Sequence, residues 1–397
     1  VPVGSETVID MYPLDFEEFL WANGISEPVI AMLQKALDAE TPVPEMLHSR
    51  MKQLLLQYAV VGGMPDAVQT FVDSKQMDEV LRIQRDIVRS YEDDMVKYAE
   101  KQDKSRIKEC FQSIPRQLAK ENKKFQYSVV RKGSTAAKYA GSLQWIEDAG
   151  IIARCYNLSI TELPLDGNAE EDTFKVYMRD MGLFVSMLED GTQYDILQGN
   201  LYGYKGAIFE NLIADIFSKM GRKLYYFHKD SGLEVDFVIR YKGECTLVEV
   251  KAATGNIKST KTILNHPEKY HVSSAIKLGD YNVGRMGQVL TLPLYMAFLL
   301  RTLKKITQPD DTMQQTVSSC CIVLYSMTEI SGYCSAKCRN KLPPIIGFQR
   351  ERHAKIKDGG CIEKENYNDL CRSAVSHGIG ANTVPTHFKL CQPEVCV

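Results

Sequence analysis

Lys242-Gly243 separates two runs that each read as a β-strand, Leu233–Ile239 and Thr246–Lys251. Glycine in the second place suits a two-residue hairpin loop. With that loop residue 241 faces 244, and the pairing runs inward until Asp236 faces Glu249. Directly opposed residues lie on one face of the sheet with Cβ atoms about 5 Å apart. Lys251, two residues past Glu249, emerges on the same face about 7 Å further along.

Like charges opposed in a sheet repel unless a cation or a proton sits between them. A divalent metal resolves the conflict, and hard carboxylate oxygens select Mg²⁺ or Mn²⁺, ions that keep waters able to attack phosphorus. Lys251 is then placed to orient such a water or to neutralise charge developing on a phosphate. Val235, Phe237, Ile239, Val248 and Val250 are expected on the opposite, core-facing side. A third carboxylate comes from the helical stretch Tyr204–Met220, where Phe209, Leu212, Ile213, Ile216 and Phe217 form one apolar stripe. Glu210 lies at the edge of that stripe, and Gly206 and Ala214, one turn to either side, would let the helix approach a sheet. Spacing alone also accommodates a plain hairpin with a solvated charged face, since exposed strands often alternate apolar and charged residues.

Glu210 on a helix, followed by Gly232-Leu-Glu-Val-Asp236 and Glu249-Val-Lys251, resembles the PD-(D/E)XK nuclease-like core. The chain more closely resembles the carboxy-terminal half of prokaryotic AAA-type ATPases that end in such a domain. Matching pieces are Tyr12-Pro-Leu-Asp-Phe-Glu-Glu-Phe19, Val61-Gly-Gly-Met-Pro65, Lys132-Gly-Ser-Thr-Ala-Ala-Lys-Tyr139 and Met181-Gly-Leu-Phe184, and the likeness spans roughly residues 1–300. The resemblance implies Glu210, Asp236, Glu249 and Lys251 as site residues, the three acids as metal ligands, and Mg²⁺ or Mn²⁺ as the cofactor. It also implies a winged helix ahead of the nuclease-like domain.

The ATPases of that group open with a phosphate-binding loop, and no Gly-X4-Gly-Lys-Ser/Thr occurs here. The nearest string, Gly255-Asn-Ile-Lys-Ser-Thr260, has Ile257 in place of the glycine before the lysine. Without the paired glycines the backbone cannot wrap phosphates, so no ATP binding is expected by that route. The chain starts at Val1, which suggests a truncated gene product. A formal charge of −2 gives no global pull on nucleic acid, leaving any contact to local basic patches. The best apolar run, Val289–Leu300, is too short to span a bilayer and contains Pro293. The acidic first segment does not read as a signal peptide, so a cytoplasmic location without membrane partners is expected.

The expected architecture is multi-domain mixed α/β: a remnant of an ATPase helical region over 1–60, a helical segment with a winged helix over 61–160, a PD-(D/E)XK-like α/β sandwich over 161–302, and a cysteine-rich tail over 303–397. Gly62-Gly63-Met64-Pro65 marks the first break. In the second region a helix capped by Ser134, with Tyr139, Leu143 and Ile146 on one face, precedes an apolar strand from Ile151. Lys123, Lys124, Arg131, Lys132 and Lys138 lie near it and suit phosphate contacts, although packing is an equal use for such a helix. Strands are expected at Lys223–His228, Leu233–Arg240, Cys245–Ala252, Ser274–Lys277 and Val289–Leu292, and His228 is read as a strand residue rather than a ligand. Eight of the eleven cysteines lie beyond residue 319, but only Cys334-X3-Cys338 is a close pair, which argues against a zinc module and for a tail foreign to the rest.

Three functions are consistent with these residues. The first is a Mg²⁺-dependent nuclease-like domain cleaving phosphodiesters. The second is an inactive adaptor that keeps the fold and binds DNA or a protein. The third is a nonfunctional fragment of a split ATPase gene.

Overall fold

The computed structural model describes residues 11–98, 103–118, 124–200, 205–251 and 257–301. The cysteine-rich tail, the first ten residues, Lys123, Tyr204, Ala252 and the start of the Gly255 string lie outside the described residues. The described chain is mixed α/β, and no helix in it is long and apolar enough to cross a membrane.

It begins with helices α1 (Phe16–Ala22), α2 (Glu27–Asp38), α3 (Glu45–Val61), α4 (Pro65–Ser74), α5 (Met77–Tyr98), α6 (Lys104–Leu118), α7 (Tyr127–Val130) and α8 (Ala136–Asp148). Asp15 starts α1 with a capping box, accepting from the Glu18 N–H while the Glu18 carboxylate accepts from its own. Helix α8 buries Tyr139, Leu143 and Ile146 as expected, but its N-cap is Thr135, one residue beyond Ser134, and no side chain caps it. Strands β1 (Ile152–Leu158) and β2 (Ala169–Met178) then form an antiparallel pair, so the expected domain boundary at 160/161 falls in the connection between two paired strands.

After α9 (Met181–Ser186) and α10 (Thr192–Gln198) comes α11 (Lys205–Lys219), followed by β3 (Leu224–His228), β4 (Glu234–Val235), β5 (Phe237–Tyr241) and β6 (Glu244–Val250). Two short helices, α12 (Lys258–Leu264) and α13 (Pro267–Tyr270), precede β7 (Ser274–Gly279), β8 (Gly284–Met286) and β9 (Val289–Pro293). The strands form two sheets, β2-β1-β3-β4 and β5-β6-β7-β9-β8. Parallel pairing of β1 with β3 makes one sheet of strands from both halves of the chain.

The second sheet is covered on both faces. Phe237, Ile239, Val248, Ile276 and Leu278 join the core that contains Leu212, Ile213 and Phe217 of α11. Val238, Leu247 and Ala275 join a second core with Ile263 and Leu264 of α12 and Tyr270 of α13. Each fully buried Leu, Ile or Phe side chain contributes roughly 1.5–3 kcal/mol. Helix α11 was expected to bury one stripe, yet from Ala207 to Lys219 every residue is buried, because the sheet lies on one side and the N-terminal helices on the other. Ala214 sits in that core, whereas Gly206 is exposed with open space around it and makes no close approach.

Three of the separated sequence pieces meet in one joint. The Gly63 carbonyl accepts from the Leu14 N–H at 2.8 Å, and the Gly63 N–H donates to Asp180 Oδ2 at 2.7 Å. A Cβ on Gly63 would overlap the Leu14 carbonyl oxygen, and one on Gly182 would overlap that of Val61. The double glycine is therefore a requirement of two backbones in contact as well as a helix break.

Candidate functional site

The hairpin has the register that its turn implies. Lys242 and Gly243 both have positive φ, +49° and +90°, as a type I′ turn requires, and Tyr241 pairs with Glu244, then each residue in turn to Phe237 with Val248. One step further, at Asp236, the ladder stops. The Asp236 side chain takes the place of a backbone partner there, its Oδ2 accepting from the Val250 N–H at 2.8 Å. The run Leu233–Arg240, expected as one strand, is thus two: β4 pairs with β3 in the first sheet, β5 pairs with β6 in the second, and Asp236 is the bend between them. The bend also moves Val235 out of the face expected for it and into the second core beside Val238, while Phe237 and Ile239 stay in the first.

Asp236, Glu249 and Lys251 come together at this split between the sheets. Lys251 Nζ donates to Glu249 Oε2 at 2.5 Å and lies 3.5 Å from Asp236 Oδ2. The other Glu249 oxygen, Oε1, accepts from Thr260 Oγ1 of α12 at 2.5 Å. Glu249 is only 4% exposed. Burial first, and Asp236 second, push its carboxyl above the ordinary glutamate range, more than Lys251 and Thr260 lower it. Burial works to lower Lys251, but Asp236 and Glu249 outweigh it and hold the ammonium above its usual value. Two acids share one base, and the cluster holds its protons because it is short of positive charge.

Glu210 is placed differently. Its Oε1 accepts from the Tyr177 hydroxyl and from Lys175 Nζ, the latter at 3.3 Å. Lys175 also donates to Glu234 Oε1 at 3.0 Å and lies 4.7 Å above the Tyr226 ring. Both Lys175 and Glu210 are 2% exposed. Glu234 in turn is tied to α12, its N–H donating to Ser259 Oγ at 3.2 Å. Lys175, Tyr177, Glu234 and Thr260 were not among the residues expected at the site. The signal for Lys175 was a lone lysine within Phe174-Lys-Val-Tyr-Met178, a strand otherwise apolar on both faces.

A cleft of about 550 Å³ opens beside this second group, with Lys124, Lys175, His228, Lys229, Glu170 and Glu234 among its lining. Lys124 forms an isolated bridge with Lys175 and belongs to this cleft rather than to α8. His228 ends β3, and its backbone N–H and carbonyl both engage the Asn157 side-chain amide. Lys138 on α8 and Lys132 just before it are exposed, and Arg131 pairs with Glu109 at 3.4 Å.

Oxygen-only donors short of positive charge suit a hard divalent ion, so Asp236 and Glu249 fit as its protein ligands. Among the described residues no group of three His, Cys, Asp or Glu side chains is disposed to hold a metal. An ion here would take two protein ligands and complete its shell with water, as Mg²⁺ commonly does.

Two family models match the chain: a domain of unknown function, DUF8612, over residues 52–194, and a domain of unknown function, DUF4143, over residues 205–295. DUF4143 is a domain found at the C terminus of AAA-type ATPases. No curated protein and no solved structure matches.

Proposed function

We propose that the PD-(D/E)XK-like domain expected over 161–302 carries, at the split between the sheets, a site that binds one Mg²⁺ or Mn²⁺ ion and hydrolyses phosphodiesters. The observation that carries this reading is the convergence of Asp236 and Glu249 on the Lys251 ammonium, at 3.5 and 2.5 Å. When bound, the ion would polarise a phosphate oxygen and acidify a bound water. Asp236 and Glu249 would hold it, and Thr260 fixes the Glu249 carboxylate through its second oxygen. Lys251, at 25% exposure, has the reach to leave the acids and stabilise charge on the phosphate. The test is cleavage of single- and double-stranded DNA and RNA with Mg²⁺ or Mn²⁺. Wild-type protein should cut at least one of them, and Asp236→Asn and Glu249→Gln should each abolish the cut; undiminished cleavage by both variants sinks the assignment.

A second reading, an inactive adaptor, is favoured by one specific observation: Glu210, the third acid of the resemblance, is occupied by Lys175 and Tyr177. In that reading α6, α7 and α8 followed by the β1–β2 pair act as a winged helix, with Lys132 and Lys138 contacting phosphates. It expects salt-sensitive binding to nucleic acid, weakened by Lys132→Ala and Lys138→Ala, and no cleavage under any metal.

A further inference from the structure

The site contains two lysines between pairs of carboxylates, and they are not equivalent. Lys251 follows the last residue of β6 and has one flank open. Lys175 lies inside β2, its backbone paired with Cys155 of β1 on one side and bridged to Lys124 on the other. Its ammonium contacts Glu210 and Glu234 at 3.3 and 3.0 Å and faces the Tyr226 ring, with the side chain 2% exposed. Paired backbone on both edges and a buried head leave it no alternative position. Glu210 and Glu234 share the Lys175 ammonium, and Asp236 and Glu249 share that of Lys251.

We propose that Lys175 is the resident cation of the site: it takes the place of a second metal ion at Glu210 and Glu234, so that a single exchangeable ion is left for Asp236 and Glu249. Lys175 is a positioning residue, acting through the two glutamates it neutralises. It lies in the segment matched by DUF8612, whereas the four acids and Lys251 lie in the segment matched by DUF4143, so the site is a composite of both. A buried ammonium costs no metal recruitment and fixes the third acid of the resemblance outside the ion's shell. The inference rests on the metal-binding reading of Asp236 and Glu249, but a different comparison tests it.

The experiment counts Mn²⁺ bound to the full chain by electron paramagnetic resonance of the free ion, with no substrate present. The metal-binding reading is tested by wild type against Asp236→Asn; the role of Lys175 is tested by Lys175→Met against wild type. Wild type is expected to bind one ion, Asp236→Asn none, and Lys175→Met one more than wild type, because the freed Glu210 and Glu234 become ligands. A folded Lys175→Met that gains no ion overturns the inference, as does wild type that already binds two. If Lys175→Met does not fold, Glu234→Gln decides, since Glu234 is 45% exposed and its loss should be tolerated. Glu234→Gln should leave Mn²⁺ affinity within about threefold of wild type, whereas a loss of about tenfold or more would make Glu234 a ligand of the ion and overturn the inference. Wild type that binds no ion overturns the metal-binding reading and the inference with it, whereas one ion in wild type and no gain in a folded Lys175→Met overturns the inference alone.

Discussion

Lys219 and Lys251 each sit between two carboxylates, but their surroundings differ. Lys219 contacts Asp215 at 3.0 Å and Asp180 at 3.8 Å, and donates to the Tyr58 hydroxyl at 2.9 Å and the Leu14 carbonyl at 3.2 Å, with every one of these side chains buried. Asp180 is itself consumed by backbone, accepting from the N–H groups of Gly63 and Leu183. That cluster ties the N-terminal helices to α11 and has no opening to solvent. Lys251 has no backbone acceptor holding its ammonium among the described bonds, and it borders the split between two sheets. Helix α11 reaches both regions, sending Asp215 and Lys219 into the closed joint and Glu210 toward Lys175 at the open one. A lysine whose partners include main-chain groups of a second segment is a fastener; a lysine at a strand end between acids is exchangeable.

The largest expected difference is in stability. Lys219→Met leaves buried acids without their cation and should cost about 3–5 kcal/mol in urea unfolding, while Lys251→Met should cost about 1 kcal/mol or less and leave Asp236 and Glu249 able to bind the ion. Equal losses would erase the distinction between the two regions. Next, Gly63→Ala should cost about 3 kcal/mol through overlap with the Leu14 carbonyl, without changing metal affinity.

These contrasts follow the line between what the sequence displayed and what it concealed. Asp236, Glu249 and Lys251 were legible because a two-residue turn fixes register, and register fixes which side chains oppose one another. The break at Asp236 was not legible, since Leu233–Arg240 alternates like a continuous strand and the Val250 N–H that ends it comes from the partner strand. Lys175 was hidden for a related reason: it reaches Glu210 and Glu234 from 35 and 59 residues away, and no local pattern encodes such a contact. The glycines at 62 and 63 were visible as a break, but their contact with Leu14 and Asp180 needed three segments at once.

Protonation sharpens the comparison further. Burial pushes the Asp215 carboxyl up to about 7 from an ordinary value of 3.8. A folded-state value above the unfolded one means that the folded protein binds the extra proton, so this group's contribution to stability is lost as pH rises from about 4 to about 7. Asp215→Asn should flatten stability across that range, and added Mg²⁺ should not. Glu249 is also raised, mainly by burial, so metal affinity should increase as pH rises above the ordinary glutamate value; an affinity independent of pH would remove Glu249 from the ligands. The smallest effect belongs to Thr260→Val, which should lower metal affinity about tenfold with about 1 kcal/mol or less of stability lost, and Thr260→Ser should restore it.

The most direct measurement is anomalous diffraction from crystals of the full chain soaked in Mn²⁺. The result expected is a single manganese peak about 2 Å from a carboxylate oxygen of both Asp236 and Glu249, with Lys175 still joined to Glu210 and Glu234. A manganese peak at Glu210 and Glu234, or none near Asp236 and Glu249, would contradict a one-ion site at the split between the sheets.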